Sequence, residues 1–146
     1  MELKVSEVIG VYSTLKDAKL TKMESADKFK VIKIMRPMQG VADEWDKFME
    51  NVDKKLQKEN HEEIIQKARK WQEAGEKTTL TDEEKIEINR YLITFQKEKD
   101  ECVKDELEKV VSLDFEKLTQ DAFEKLIDSN DWEVNKMMQL ESLIVG

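Results

Sequence analysis

One histidine, one cysteine, one proline and four glycines are all that this 146-residue chain has of the residues that most often build metal centres, disulfides and tight turns. A lone thiol cannot close an internal disulfide, which excludes a cross-linked secreted scaffold and fits a reducing cytoplasm. So few turn formers exclude an all-β sandwich or barrel, and no apolar run approaches the ~18 residues of a membrane span. The opening Met1-Glu2-Leu3-Lys4-Val5 also lacks the apolar stretch of a secretion signal. What the chain has in excess is charge: 40% of residues, 33 acidic and 25 basic, for a net of -8, against an ordinary share of ~25%. That balance suits solvent-exposed helices around a thin core, and the length suits one domain covering residues 1–146.

Helical periodicity runs through most of the chain. Ser6 can cap a helix over 6–20, in which Val8, Ile9, Tyr12, Leu15 and Ala18 recur at three-and-four spacing. Ser25 can cap another that covers 26–74, either as one long helix or as two with a break near Asn60, ending at Gly75. Thr81-Asp82-Glu83-Glu84 reads as a capping box opening a helix over 82–110. Two short helices, 120–128 and 131–144, complete the pattern, the second capped by Ser129-Asn130-Asp131. The expected fold is mostly α: a long antiparallel helical hairpin or bundle with short flanking helices. One small strand pair, Leu3-Val5 with Val111-Phe115, is the only β option, because these are the only short alternating runs.

The strongest single signal is an eight-position heptad seam: Val31, Met35, Met38, Ala42, Trp45, Met49, Val52 and Leu56. Ile32, Ile34, Val41 and Phe48 widen it beyond a two-stranded seam, so it reads either as an intramolecular core or as an interface between copies. Pro37 falls inside the run. It predicts a kinked helix there, or else an extended segment from Phe29 to Met35 with the helix starting just before the proline.

Counting excludes most enzymatic constellations. His61 is the only histidine; Lys58 stands where a Glu-x-x-His motif needs its acid, and Ile65 where a zincin needs its second histidine. Neither GxGxxG nor a P-loop is present. A calcium loop at Asp128 and Asn130 fails at Trp132, Glu133 and Gln139. Cys102 and His61 lie in no nucleophile motif, and the acidic pairs Glu62-Glu63 and Glu83-Glu84 sit beside lysines on helix surface. No catalytic residue, metal ligand or cofactor site is therefore expected.

Charge is distributed unevenly. Residues 1–40 carry eight bases and five acids, net +3, while residues 41–146 carry 17 bases and 28 acids, net -11. Lys22, Lys28, Lys30, Lys33 and Arg36 stand close together, yet the acidity of the whole makes it a poor nucleic-acid binder. The acidic remainder admits mimicry of nucleic acid, notably across residues 98–108, although bases are interspersed throughout.

Leu3, Glu7-Val8-Ile9, Tyr12 and Leu15, then Lys30-Val31 ahead of a long charged helix, form one part of a pattern. Phe95-Gln96-Lys97-Glu98 through Glu106-Leu107, Val111-Ser112-Leu113-Asp114 and Leu140-Glu141-Ser142-Leu143-Ile144 complete it. Together they resemble an uncharacterised family of small helical proteins from tailed bacteriophages and prophages. That resemblance spans nearly the whole chain and implies a phage-encoded accessory near virion-assembly genes, without a known reaction. The expectation is a non-enzymatic protein–protein interaction protein, located in the bacterial host cytoplasm or on the virion, binding a protein partner or itself and no membrane. The alternative is an acidic inhibitor of a host nucleic-acid-acting enzyme.

Overall fold

Leu3 is buried between exposed Glu2 and Lys4, the alternation of a half-buried strand. In a computed structural model describing residues 1–146, Glu2–Lys4 forms β1 and pairs antiparallel with β2, Val110–Ser112, with Leu3 opposite Val111. Six helices account for nearly all other regular structure: α1 (Val5–Lys16), α2 (Ser25–Leu56), α3 (His61–Ala74), α4 (Asp82–Glu108), α5 (Gln120–Asp128) and α6 (Val134–Ile144). The fold is mostly α with one small two-stranded antiparallel sheet. Val110 to Ser112, one residue earlier than the alternation from Val111 suggests, supply the second strand.

Two compact units are present, Met1–Asp46 with Leu107–Gly146, and Lys47–Glu106. In the first, α1 buries Val5, Val8, Val11 and Leu15, α2 buries Val31, Ile34 and Met38, and α5 buries Ala122, Phe123 and Leu126. Leu140, Leu143 and Ile144 of α6 join the same apolar cluster, together with Leu113 and Leu118. At about 1.5–3 kcal/mol for each large side chain removed from water, this burial is the main stabilising term of the unit. Leu118 also stitches the backbone, its N–H donating to Ile144 O at 2.8 Å and its carbonyl accepting from Gly146 N–H at 3.1 Å.

In the second unit only Val52, Ile64 and Ile88 are buried apolar side chains. Its helices begin and end on local signals. Thr81 Oγ1 accepts from Glu84 N–H at 3.2 Å, while the Glu84 carboxylate accepts from Thr81 N–H at 3.2 Å, so the capping box of α4 is formed. Gly75 closes α3 at φ +56°, a backbone region that favours glycine, and its N–H donates to Trp71 O.

Helix α2 runs unbroken through Pro37 from Ser25, so of the two readings the continuous helix holds and Phe29 to Met35 is not extended. Two local expectations are corrected. The first helix starts at Val5 and stops at Lys16, not over 6–20; Lys4 occupies the cap position because β1 ends there, and the Glu7 carboxylate accepts from Lys4 N–H at 2.9 Å. The last helix starts at Val134, not at 131, because Ser129 and Asn130 are committed elsewhere. Asn130 Oδ1 accepts from Lys19 N–H and its Nδ2 donates to Lys19 O, both at 2.8 Å, while Ser129 Oγ accepts from Lys22 N–H at 2.9 Å. These two side chains hold the segment after α1, which is why that helix ends early.

Candidate interaction surface

Helix α2 has an outer face opposite its buried one. At 3.6 residues per turn, Phe29, Ile32, Lys33 and Arg36 fall on the side turned away from Val31, Ile34 and Met38. Phe29 is 50% exposed and Ile32 41%, although both are large apolar side chains. Lys33 Nζ lies 5.3 Å from the Phe29 ring centroid and the Arg36 guanidinium 5.9 Å, so the ring face carries two cations. Neighbouring Lys30 is used inside the chain, pairing with Glu116 at 3.4 Å. The result is a short strip, both apolar and cationic.

Two more helices carry exposed apolar pairs. On α6, Val134 and Met138, one turn apart, are each 65% exposed, and Glu141 shares their face. On α4, Ile86 and Ile93 are 58% and 69% exposed, on the side away from buried Ile88. Isolated exposed apolar residues are ordinary, but pairs at helical spacing make continuous stripes suited to another surface.

The heptad seam is placed as follows. Val31, Met38, Ala42 and Val52 are buried, Met35, Trp45 and Leu56 are half-buried, and Met49 is exposed. Residues Val31 to Trp45 lie in the first unit and Met49 to Leu56 in the second. Ile34, noted only as widening the stripe, is completely buried. The signal of the outer strip is the spacing Phe29, Ile32, Lys33, Arg36, half a turn out of phase with the seam.

His61 belongs to an aromatic cluster in the second unit. Its Nδ1 shares a 2.6 Å hydrogen bond with the Tyr91 hydroxyl, and its ring lies 5.3 Å from that of Phe95. Tyr91 and Phe95 also line a pocket of about 250 Å³, together with apolar Leu56 and Ile64 and charged Lys58, Arg90, Glu87 and Glu98. Cys102 is half-buried seven residues beyond Phe95 on α4, about 10 Å along the helix axis, and the contacts of His61 do not include it. No group of three His, Cys, Asp or Glu side chains converges in a way that could hold a metal ion.

Two groups in structural contacts are shifted from their ordinary values. The backbone N–H of Thr81, then its hydroxyl, hold the Glu84 carboxyl below its ordinary value, with Lys67 adding a smaller attraction. Lys125 is raised by its bond to Glu24 at 3.2 Å, then by the charges of Glu24 and Asp121. Lys99 Nζ reaches the buried Asp53 Oδ1 at 2.9 Å, an ion contact without hydrogen-bond geometry.

No family model, curated protein or solved structure matches the chain. No helix is long and apolar enough to cross a membrane.

Proposed function

We propose that the chain is a non-enzymatic helical protein–protein interaction protein that serves as a structural or assembly accessory of a tailed bacteriophage. The observation that carries this reading is the outer face of α2, where Phe29 and Ile32 stay in water beside Lys33 and Arg36 although the same helix buries Val31, Ile34 and Met38. Leaving an aromatic and a branched aliphatic side chain exposed forfeits burial energy that only an external partner can recover. The accessory role rests on the sequence resemblance described above.

Capture of virion-assembly proteins by the immobilised chain tests the reading. Phe29→Glu with Ile32→Glu is expected to reduce capture by at least about tenfold, the equivalent of ~1.4 kcal/mol, with an unchanged circular dichroism spectrum. His61→Ala with Cys102→Ala is expected to leave capture intact. Equal capture by the wild-type chain and the Phe29/Ile32 variant would overturn the proposed docking face.

A second reading, an acidic inhibitor of a nucleic-acid-acting enzyme, is favoured by one feature. Glu98, Glu101 and Asp105 recur at three-and-four spacing on α4 and are all exposed, while Lys99 is turned to Asp53. Inhibition lost at high salt and abolished by Glu/Asp to Gln/Asn changes across residues 98–108 is its expected signature.

A further inference from the structure

Two exposed strips in the first unit complement each other in both chemistry and length. The α2 strip places Phe29 and Ile32 next to Lys33 and Arg36, and no acidic side chain falls between positions 28 and 42. On α6, Val134 and Met138 are accompanied on their face by Glu141, with Glu133 at the helix start and Asp131 before it; all are exposed. The only base on that helix, Lys136, lies on its other side, lining the groove with Ser13, Asp17 and Gln139. Each strip spans eight residues, Phe29 to Arg36 and Val134 to Glu141, or about 10 Å of helix axis. Two turns can therefore face two turns, with apolar side chains meeting apolar ones and ammonium and guanidinium groups meeting carboxylates.

We propose that these strips bind each other between two copies of the chain, the α2 face of one copy taking the α6 face of the next. This rests on the interaction reading above and identifies a second copy as the occupant of the α2 face. Because the two surfaces differ, the contact is heterologous; repeated, it closes into a ring or runs on as a filament, an arrangement suited to an assembly accessory. Each strip offers only about four large side chains, so the contact is far smaller than a standard interface and association is expected only at high concentration. The charged component makes it weaken as salt is raised.

Sedimentation equilibrium of the whole chain across a wide concentration range tests the proposal. The wild-type average mass is expected to rise with concentration. Lys33→Glu with Arg36→Glu, and separately Glu133→Lys with Glu141→Lys, are each expected to remain at the monomer mass with unchanged helicity. Mixing those two charge-reversed variants restores opposite charges across the contact and is expected to restore the mass increase, which a variant that merely failed to fold could not do. A wild-type chain that stays monomeric throughout overturns the proposal, as do variants that assemble like wild type, or a mixture that stays monomeric. Sedimentation of a monomeric wild-type chain with phosphatidylserine-containing vesicles also overturns it, assigning the cationic strip to lipid. Capture of virion-assembly proteins through Phe29 and Ile32 by a monomeric chain overturns self-association alone and leaves the interaction reading standing.

Discussion

The two units of this chain are built from similarly helical sequence but are held by different forces. Eighteen of the twenty-one buried apolar side chains lie in Met1–Asp46 with Leu107–Gly146, and only Val52, Ile64 and Ile88 lie in Lys47–Glu106. The first unit is an apolar cluster closed by strands and by the Asn130 clamp. The second relies on half-buried rings, the His61–Tyr91 hydrogen bond and solvent-exposed ion pairs such as Lys67 with Glu63. Exposed pairs contribute about 0–1 kcal/mol each, against ~1.5–3 kcal/mol for a buried aliphatic side chain, so resistance to unfolding is expected to be uneven along the chain.

Phe123→Ala should have the largest effect. The ring is fully buried in the first unit, and its removal is expected to lose about 3–5 kcal/mol in denaturant unfolding. A loss no greater than that for Ile64→Ala would break the contrast between the units. Ile88→Ala, at the one buried position of α4, is expected to cost about 2 kcal/mol, near the low end for such truncations because the surrounding core is thin and open to water. Native-state hydrogen exchange sharpens the point: amides of α3 should exchange faster than those of α1, and Ile88→Ala should accelerate α3 while leaving α1 unchanged. Gly75→Ala, at φ +56° with open space around the new methyl group, is expected to cost about 1–2 kcal/mol from backbone strain alone.

The smallest effect concerns acid. Glu84 is held below its ordinary value in the folded chain, so its contribution is fully present above the unfolded value and is lost as pH falls through the lowered folded value. Glu84→Gln should therefore remove a small part of the acid sensitivity of the second unit, read as a flatter dependence of its melting temperature on pH below the ordinary carboxylate range. An unchanged slope would mean that the capping box contributes through geometry only.

Local signals were readable wherever the local chain decides the outcome. The Thr81 to Glu84 capping box, the glycine at the end of α3 and the 120–128 helix follow from capping chemistry and periodicity within a few residues, whereas the choice between one helix over 26–74 and two with a break near Asn60 stayed open until the structure ended α2 at Leu56. The strand pair was legible because only two alternating runs exist, although its bounds were not: Glu2–Lys4 pairs with Val110–Ser112, so each strand starts one residue earlier than its alternating run. Asn130 shows where local reading fails. It is a good helix cap by type, but its amide has better partners in the backbone of Lys19 and Leu126, more than a hundred residues away in one case. Likewise the outer strip of α2 was hidden by the stronger seam beneath it, because periodicity identifies a face but not whether neighbouring apolar residues also find cover.

By itself, then, the sequence determined a helical chain with the positions of most helix boundaries, since caps, period and scarcity of turn formers act over a few residues at a time. Only the tertiary structure decided which apolar side chains are enclosed: it buried Ile34 and Phe123, left Phe29, Val134 and Met138 in water, and drew Asn130 away from its cap. Burial depends on the other elements that pack against a helix face, and no window along the chain contains them.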